Sequence, residues 1–395
     1  MKTAKTQILL TVMTAVFLTA AFSEGAGAAT FDVTTRANSG AGSLRQAISY
    51  ANANDEADVI NIAPAVKEIY LSNAVEITGD VVVNGGGATV RGSKVSRLFG
   101  IAGGTVKFDR LTFTDGYPLS DSGGVAYIDS SAAAAAFVNC TFFGNRAGKS
   151  GGAVYLYGGG NRPTTFVNCT LTNNEAAESG GGVAILGGTV QFDASIITGN
   201  RAPSDPEIHR GSNGHVSNLG QYNVVGQTSV QDVFSTISNN VSVPASDVFK
   251  TPGLLGTVDG VQVVELNTNN VALDKIPIAN ALSLPSVDER GVPRPQMGAI
   301  DAGAYELSPV ALASVDLRGV SYIEVLGSEN FAAVPQPENA TLDVRTYRNG
   351  LSWSVINPSN AEVLSVDQGG AVAALAEGVA TLKVEAYGWD VSGNK

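Results

Sequence analysis

The chain has 395 residues, of which 46 are glycine, 44% are hydrophobic and 15% are charged. So much apolar side chain marks a folded, turn-rich protein rather than a disordered one. The net charge of −12 excludes the cationic surface that nucleic acid or anionic lipid requires, and leaves solubility and divalent-cation binding open.

Residues 1–29 read as a secretory signal. Lys2 and Lys5 form the charged start, Ile8 to Phe22 the apolar stretch, and Ala26-Gly27-Ala28-Ala29 the small-residue exit. No later run is long enough to cross a membrane as a helix, so no transmembrane span is expected once the signal is removed. Thr30 to Thr35 alternates like a strand. Ser43 and Gln46 match a capping box, and Leu44, Ala47, Ile48 and Ala51 follow at helical spacing. This short helix is expected to lie over the open end of whatever follows, because an uncovered end would expose core and unpaired strand edges. Short apolar stretches between 58 and 115 read as irregular strands. Gly85-Gly86-Gly87 reads as a turn; it has no helix or Lys-Ser/Thr pair after it, so it is no phosphate loop.

From Val106 to Ala202 one segment recurs. Phe137-Val138-Asn139-Cys140-Thr141-Phe142 returns 29 residues later at Phe166 and 26 residues after that at Phe192, with a fainter copy at Phe108. A fixed period of this size marks a repeat architecture. The first apolar anchor sits three residues before the next (Phe137 and Cys140, Phe166 and Cys169, Phe192 and Ser195). An odd spacing would turn one anchor outward in a regular strand. A bend at Asp109-Arg110, Val138-Asn139, Val167-Asn168 and Asp193-Ala194 lets both point inward. A second strand opens on glycines, at Gly123-Gly124-Val125-Ala126-Tyr127, Gly151-Gly152-Ala153-Val154-Tyr155 and Gly181-Gly182-Val183-Ala184-Ile185. Each repeat thus makes about three strands and three turns and cannot bury its own apolar residues alone. Stacked, the repeats form a parallel β-helix.

Asn145, Asn174 and Asn200 occupy one repeat position. They are expected to be structural, since Asn tolerates the left-handed conformation and identical amides one rung apart can bond as a ladder. Cys140 and Cys169 share another position, where Ser195 and Leu111 also stand. Neighbouring rungs place them within disulfide reach, but the position accepts any small or apolar residue, which favours free buried thiols.

The regular rungs end near Ala202. Residues 203–217 hold both histidines, His209 and His215, beside Asp205 and Glu207, in a loop whose spacing fits no specific metal site. Tyr222 to Gly226 and Val261 to Val264 read as loosened later rungs. In 288–306, Asp288, Arg290, Arg294, Asp301, Tyr305 and Glu306 form an ion-paired cluster, read as a polar cap that closes the last rung, with a catalytic or Ca²⁺ site as the competing reading. No other cofactor is implied. From Pro309, glycines thin out and six or seven short strands follow, with Trp353 mid-way, as in an immunoglobulin-like sandwich. The domains are therefore 1–29, 30–308 and 309–395, the last expected to lack its final strand.

Several of these motifs resemble known families. Gly151-Gly152-Ala153-Val154 and Phe142-Phe143-Gly144-Asn145 resemble the repeats of polymorphic outer-membrane-type right-handed β-helices, although Leu171 or Ile197 replaces the phenylalanine elsewhere. Gly42 to Ile48 is similar to the opening of such bacterial helices. Residues 288–306 resemble the ending of choice-of-anchor Q proteins, and residues from about 309, with Trp353-Ser354 and Gly370 to Gly378, look like a bacterial Ig-like group 2 domain. The resemblance implies an exported bacterial surface protein: all-β, a right-handed parallel β-helix with an N-terminal capping helix, followed by an Ig-like β-sandwich. It supplies no catalytic set.

The expected function is therefore a non-catalytic cell-surface or secreted protein, adhesin-like or a structural stalk, whose partner is an extracellular glycan or a host or neighbour-cell surface protein. The alternative is a polysaccharide-active lyase or glycosidase drawing on Asp109, Asp115, Asp121 and Asp193 with Arg110 or Lys107. Asp109 and Asp193 hold equivalent bends but lie three rungs apart, about 14 Å at the parallel-strand spacing, too far for a carboxylate pair.

Overall fold

A computed structural model of the chain describes residues 28–308, apart from 55, 133, 159–161, 218–219, 228–238, 268–269, 281–283 and 297–298, and seven short strands between 314 and 386. The signal stretch before Ala28 therefore lies outside the described residues, as do Met297, Gly298, Leu342 to Val344 and the final turn at Gly393 to Lys395.

The chain builds an all-β parallel solenoid of about 7 turns, which supports the right-handed β-helix class. Three stacks of parallel strands run along it. The first carries Ala134–Val138 beside Thr164–Val167, with Phe137 opposite Phe166 and Phe166 opposite Phe192. The second carries Thr141–Phe143, Thr170–Thr172, Ile196–Ile197 and Val224–Val225 in register. The third runs from Val75–Ile77 through Phe99–Ile101, Ala126–Ile128, Val154–Leu156 and Val183–Asp193 to Ile208–Val216.

The bend between the first two stacks is a ladder of left-handed residues. Arg110, Asn139, Asn168, Ala194 and Tyr222 have φ of 54°, 50°, 48°, 49° and 61°. That single inverted residue turns both Phe137 and Cys140 into the core. Inside, Phe108, Phe137, Phe166 and Phe192 form a continuous stack with centroid spacings of 5.5, 5.0 and 5.0 Å, met edge-on by Phe113 and Phe142. Such offset and edge contacts stabilise beyond the area they bury.

The helix Leu44–Ala51 forms where its spacing predicted it. Ser43 Oγ accepts from Gln46 N at 3.2 Å, and Gln46 Oε1 accepts from Gly42 N at 3.0 Å. Its buried Leu44, Ala47, Ile48 and Ala51 join the solenoid core beside Thr30–Val33, Asp58–Ile62 and Val75–Ile77.

Three local expectations change. Residues 203–217 are not loop throughout: after a turn at 203–207, Ile208–Val216 is a strand that pairs with Val183–Asp193 and continues the third stack. Val261–Val263 is no rung, since it pairs antiparallel with Gly256–Val258. Gly85 to Gly87 lies within the strand Val81–Gly92, at the register shift between Asn84 and Ala88.

Residues 248–307 then double back as a strap. Val248, Phe249, Val261, Val263, Ile276 and Ile300 form a second core with Ile196 and Val224, which face outward from the second stack. The strap approaches so closely that a Cβ at Gly303 would lie 2.6 Å from Ile196 Cδ1 and 2.8 Å from Thr170 Oγ1. Gly303 also has φ of 93°, so glycine is required there on both counts. Beyond 308 the described strands pair antiparallel, Ser314–Arg318 with Ala332–Gln336 and Leu351–Ile356 with Thr381–Ala386.

Candidate functional site

The asparagines form one ladder. Asn145 donates from Nδ2 to Asn174 Oδ1 at 3.0 Å, and Asn174 donates to Asn200 Oδ1 at 2.8 Å. Each amide oxygen also accepts a backbone N–H, and each amide nitrogen also reaches a carbonyl of an earlier rung (Phe113, Phe142 and Leu171). The ladder ends on Glu207, whose carboxylate accepts from Asn200 Nδ2 at 2.6 Å and from the backbone of Gly199 and Asn200. Burial pushes the Glu207 carboxyl up to about 7, against these hydrogen bonds.

Cys140 and Cys169 are free and buried. Each thiol donates to carbonyl oxygens, Cys169 to Phe137 O at 3.2 Å and Cys140 to Val138 O at 3.2 Å. The same repeat position passes into a second polar ladder, in which Ser195 Oγ accepts from Cys169 N and Asn223 Oδ1 from Ser195 N. Burial raises the Cys140 thiol well above its ordinary value, which makes it a poor nucleophile.

The cluster at 288–306 lies along the flank of the second stack rather than over the end of the last rung. Asp288 accepts from the backbone of Arg290, Val292 and Glu306 and pairs with the Arg290 guanidinium. Arg290 sits 4.3 Å from the Tyr305 ring centroid. Arg294, buried completely, donates to Glu306 Oε2 at 3.0 Å and to the carbonyls of Asp301, Gly303 and Ala304. Asp301 accepts from Asp274 N and Leu307 N. Burial raises both Asp301 and Glu306. Every one of these groups is engaged in fixing the strap's own backbone.

Sequence reading passed over Glu289, which the strap inserts between two rungs. It accepts from Thr141 Oγ1 at 2.5 Å and lies 2.7 Å from Thr112 Oγ1. Thr112 Oγ1 is also 2.7 Å from Gln262 O. A hydroxyl carries one hydrogen and a carbonyl cannot donate. A protonated Glu289 completes both bonds, by donating to Thr112 while Thr112 donates to Gln262. Complete burial pushes Glu289 to about 8, which keeps that proton in place at neutral pH.

The candidate catalytic acids stay apart. Asp109 pairs with Val138, Val138 with Val167 and Val167 with Asp193, so two valine rungs separate the two acids. Asp109 is bound to Arg110, Asp115 to Arg91 and Lys94, and Asp121 to Arg97. His209 Nδ1 is 2.6 Å from Asp205 Oδ2, while Glu207 belongs to the asparagine ladder. Among the described residues no group of three or more His, Cys, Asp or Glu is placed to hold a metal ion, and no helix is long and apolar enough to cross a membrane.

The third stack carries a surface of another kind. One register row of it reads Gly100, Tyr127, Tyr155, Ala184 and His209, with Gly100 and Ala184 covered. Ala184, not Ile185, therefore stands in the tyrosine position, one residue off the alignment that Gly181-Gly182 suggests. The Tyr127 ring lies 5.2 Å from Tyr155 and 6.2 Å from Tyr157, all within 27° of parallel to it. Arg97 sits 4.8 Å from the Tyr127 centroid and ion-pairs with Asp121. Tyr157 is 55% exposed. Tyrosine at the same place in two successive copies was the available signal. Comparisons with protein-family models, with curated proteins and with solved structures find no match to this chain, so its function is argued from this geometry.

Proposed function

We propose that the chain is an exported, non-catalytic cell-surface or secreted protein of a bacterium, adhesin-like or stalk-forming. One observation carries the reading. The polar residues that repeat along the solenoid are engaged in holding it together, and the candidate acids are held apart by intervening rungs. A catalytic carboxylate pair needs two groups facing one groove. In this reading residues 1–29 are the signal, the helix Leu44–Ala51 covers the solenoid's first end, and residues 309–395 are an Ig-like spacer. The antiparallel pairing of their strands supports the last assignment.

The test is incubation of the chain with acidic and neutral polysaccharides, with and without Ca²⁺, followed for new reducing ends and unsaturated uronate absorbance. The folded protein is expected to release neither. Turnover of any substrate replaces this reading with the alternative, a polysaccharide lyase or glycosidase.

A further inference from the structure

Three tyrosines share one strip of the third stack, Tyr127 and Tyr155 half-buried and Tyr157 exposed, and their phenol groups use no hydrogen bond among the described residues. The hydrogen bonds of the neighbouring turns are made by serines and acids instead. Tyrosine offers a flat apolar body and a polar tip, the combination favoured where one partner surface is part apolar and part wet. Two rims flank the strip. Before the strands, Asp121, Lys149 and Glu178 stand in consecutive rungs, tied by Lys149 N to Asp121 O at 3.1 Å and Glu178 N to Lys149 O at 3.0 Å. The charges of Asp121 and Glu178 are close enough to act on the Tyr155 phenol. After the strands comes Asp129, whose charge acts on Tyr127.

We propose that the Tyr127, Tyr155 and Tyr157 strip is a docking surface for a neutral, linear glycan. The proposal rests on the non-catalytic surface reading and names its partner. A pyranose ring has a face of C–H groups, which packs on the exposed Tyr157 side chain, and a rim of hydroxyls, which the phenol tips of the stacked Tyr127 and Tyr155 meet. Glu178 at one rim and Asp129 at the other accept those hydroxyls, and Lys149 donates to their oxygens, while Asp121 stays paired with Arg97. Carboxylates on either side, within a chain of net charge −12, repel a polyanion. Tyr127 and Tyr155 stand in register on successive rungs, so the strip runs along the solenoid axis and suits a chain of sugars rather than a single one. A protein partner would be expected to meet a larger apolar patch, and here Gly100 and Ala184 end the aromatic row on both sides.

The test is affinity electrophoresis of the full chain through gels holding neutral soluble polysaccharides, with polygalacturonate and alginate as acidic controls. Tyr155→Ala and Tyr157→Ala run beside it, and circular dichroism melts confirm that both fold. Retardation by a neutral polysaccharide, a loss of about tenfold in affinity in each variant and no retardation by the acidic polymers are expected. Unchanged retardation in both variants places binding elsewhere and overturns the docking surface while leaving the surface reading intact. Preference for the acidic polymers overturns it as well, as does retention of none of the neutral panel. Sedimentation completes the test: a dimer that Tyr157→Ala dissociates makes a second copy the occupant. Degradation of the gel polysaccharide would instead sink the non-catalytic reading itself.

Discussion

Asn200 donates its side-chain amide to Glu207 at 2.6 Å, and that bond terminates a ladder that begins at Asn145. An amide ladder leaves an unpaired donor at one end. The solenoid supplies a carboxylate there, on the turn that leads into the strand Ile208–Val216.

The middle of the ladder should be its most sensitive point. Asn174 accepts from the backbone and side chain of Asn145 and donates to Phe142 O, Thr172 O and Asn200 Oδ1. Asn174→Ala leaves buried groups in two neighbouring rungs unsatisfied, each costing about 1–3 kcal/mol. Arg146→Ala, one rung earlier, removes a half-exposed pair with Glu175 and a guanidinium contact over the Tyr117 ring, and should cost no more than about 1–2 kcal/mol. Urea denaturation of both variants measures the difference. Equal midpoints would show that the ladder does not hold the turns.

Three buried carboxyls predict an unusual pH dependence. Burial raises Glu289 to about 8, Glu207 to about 7 and Asp193 to about 6. Each binds its proton more tightly folded than unfolded. Its contribution is complete below the unfolded value of about 4 and is lost as the pH rises through the folded values. Stability should therefore fall from about pH 4 to pH 8, most steeply below pH 6, where all three unfolded carboxyls have lost protons that the folded chain keeps. Carboxyls lowered by their partners, such as Asp121 and Glu68, act below this window. Glu289→Gln keeps an acceptor for Thr141 and a donor for Thr112, and should flatten the upper part of the fall. A denaturation midpoint that rises from pH 5 to pH 8 would contradict the protonated Glu289.

The solenoid itself was legible because its signal is local and periodic. Phe108, Phe137, Phe166 and Phe192 recur at nearly one spacing, and the odd interval from Phe137 to Cys140 demands the inverted residue found at Asn139. The strap was not legible in this way. Thr112 meets Glu289 across 177 residues and Ala304 meets Thr170 across 134, and no period links such partners. Thr112, Thr141 and Thr170 look like solvent-facing strand residues, yet all three are buried. The cluster at 288–306 announced its ion pairs through its charges, but which surface it covers depends on those distant contacts. The tyrosine strip fell between the two cases, because a repeated glycine obscured its register by one residue.

Arg294 should be the residue on which the strap depends most. Its buried guanidinium serves Glu306 and the carbonyls of Val287, Asp301, Gly303 and Ala304. Arg294→Met fills a similar space but leaves a buried carboxylate without its cation, a change that costs about 3–5 kcal/mol. The solenoid core beneath is a separate cluster, so loosening should concentrate in the strap. Limited proteolysis followed by mass spectrometry should show early cleavage between 248 and 307 in the variant only. Cleavage spread evenly over the chain would mean that strap and rungs unfold as one unit.

The thiols give a last test of the interior. Cys140 and Cys169 stand on adjacent rungs, as the Thr141–Thr170 pairing requires, and both are free and buried. Iodoacetamide should label neither in the native chain and both after denaturation without reductant. Failure to label in denaturant would reveal a disulfide. Cys169→Ser should cost no more than about 1 kcal/mol, because Ser195 already fills this position one rung on, its one hydroxyl hydrogen within reach of the carbonyls of Asp193 and Phe166. The same geometry is open to a serine at 169, where Phe137 O and Val167 O already receive the thiol. A larger loss would mean that the sulfur's volume, beside the stacked phenylalanines, matters more than its hydrogen bonds.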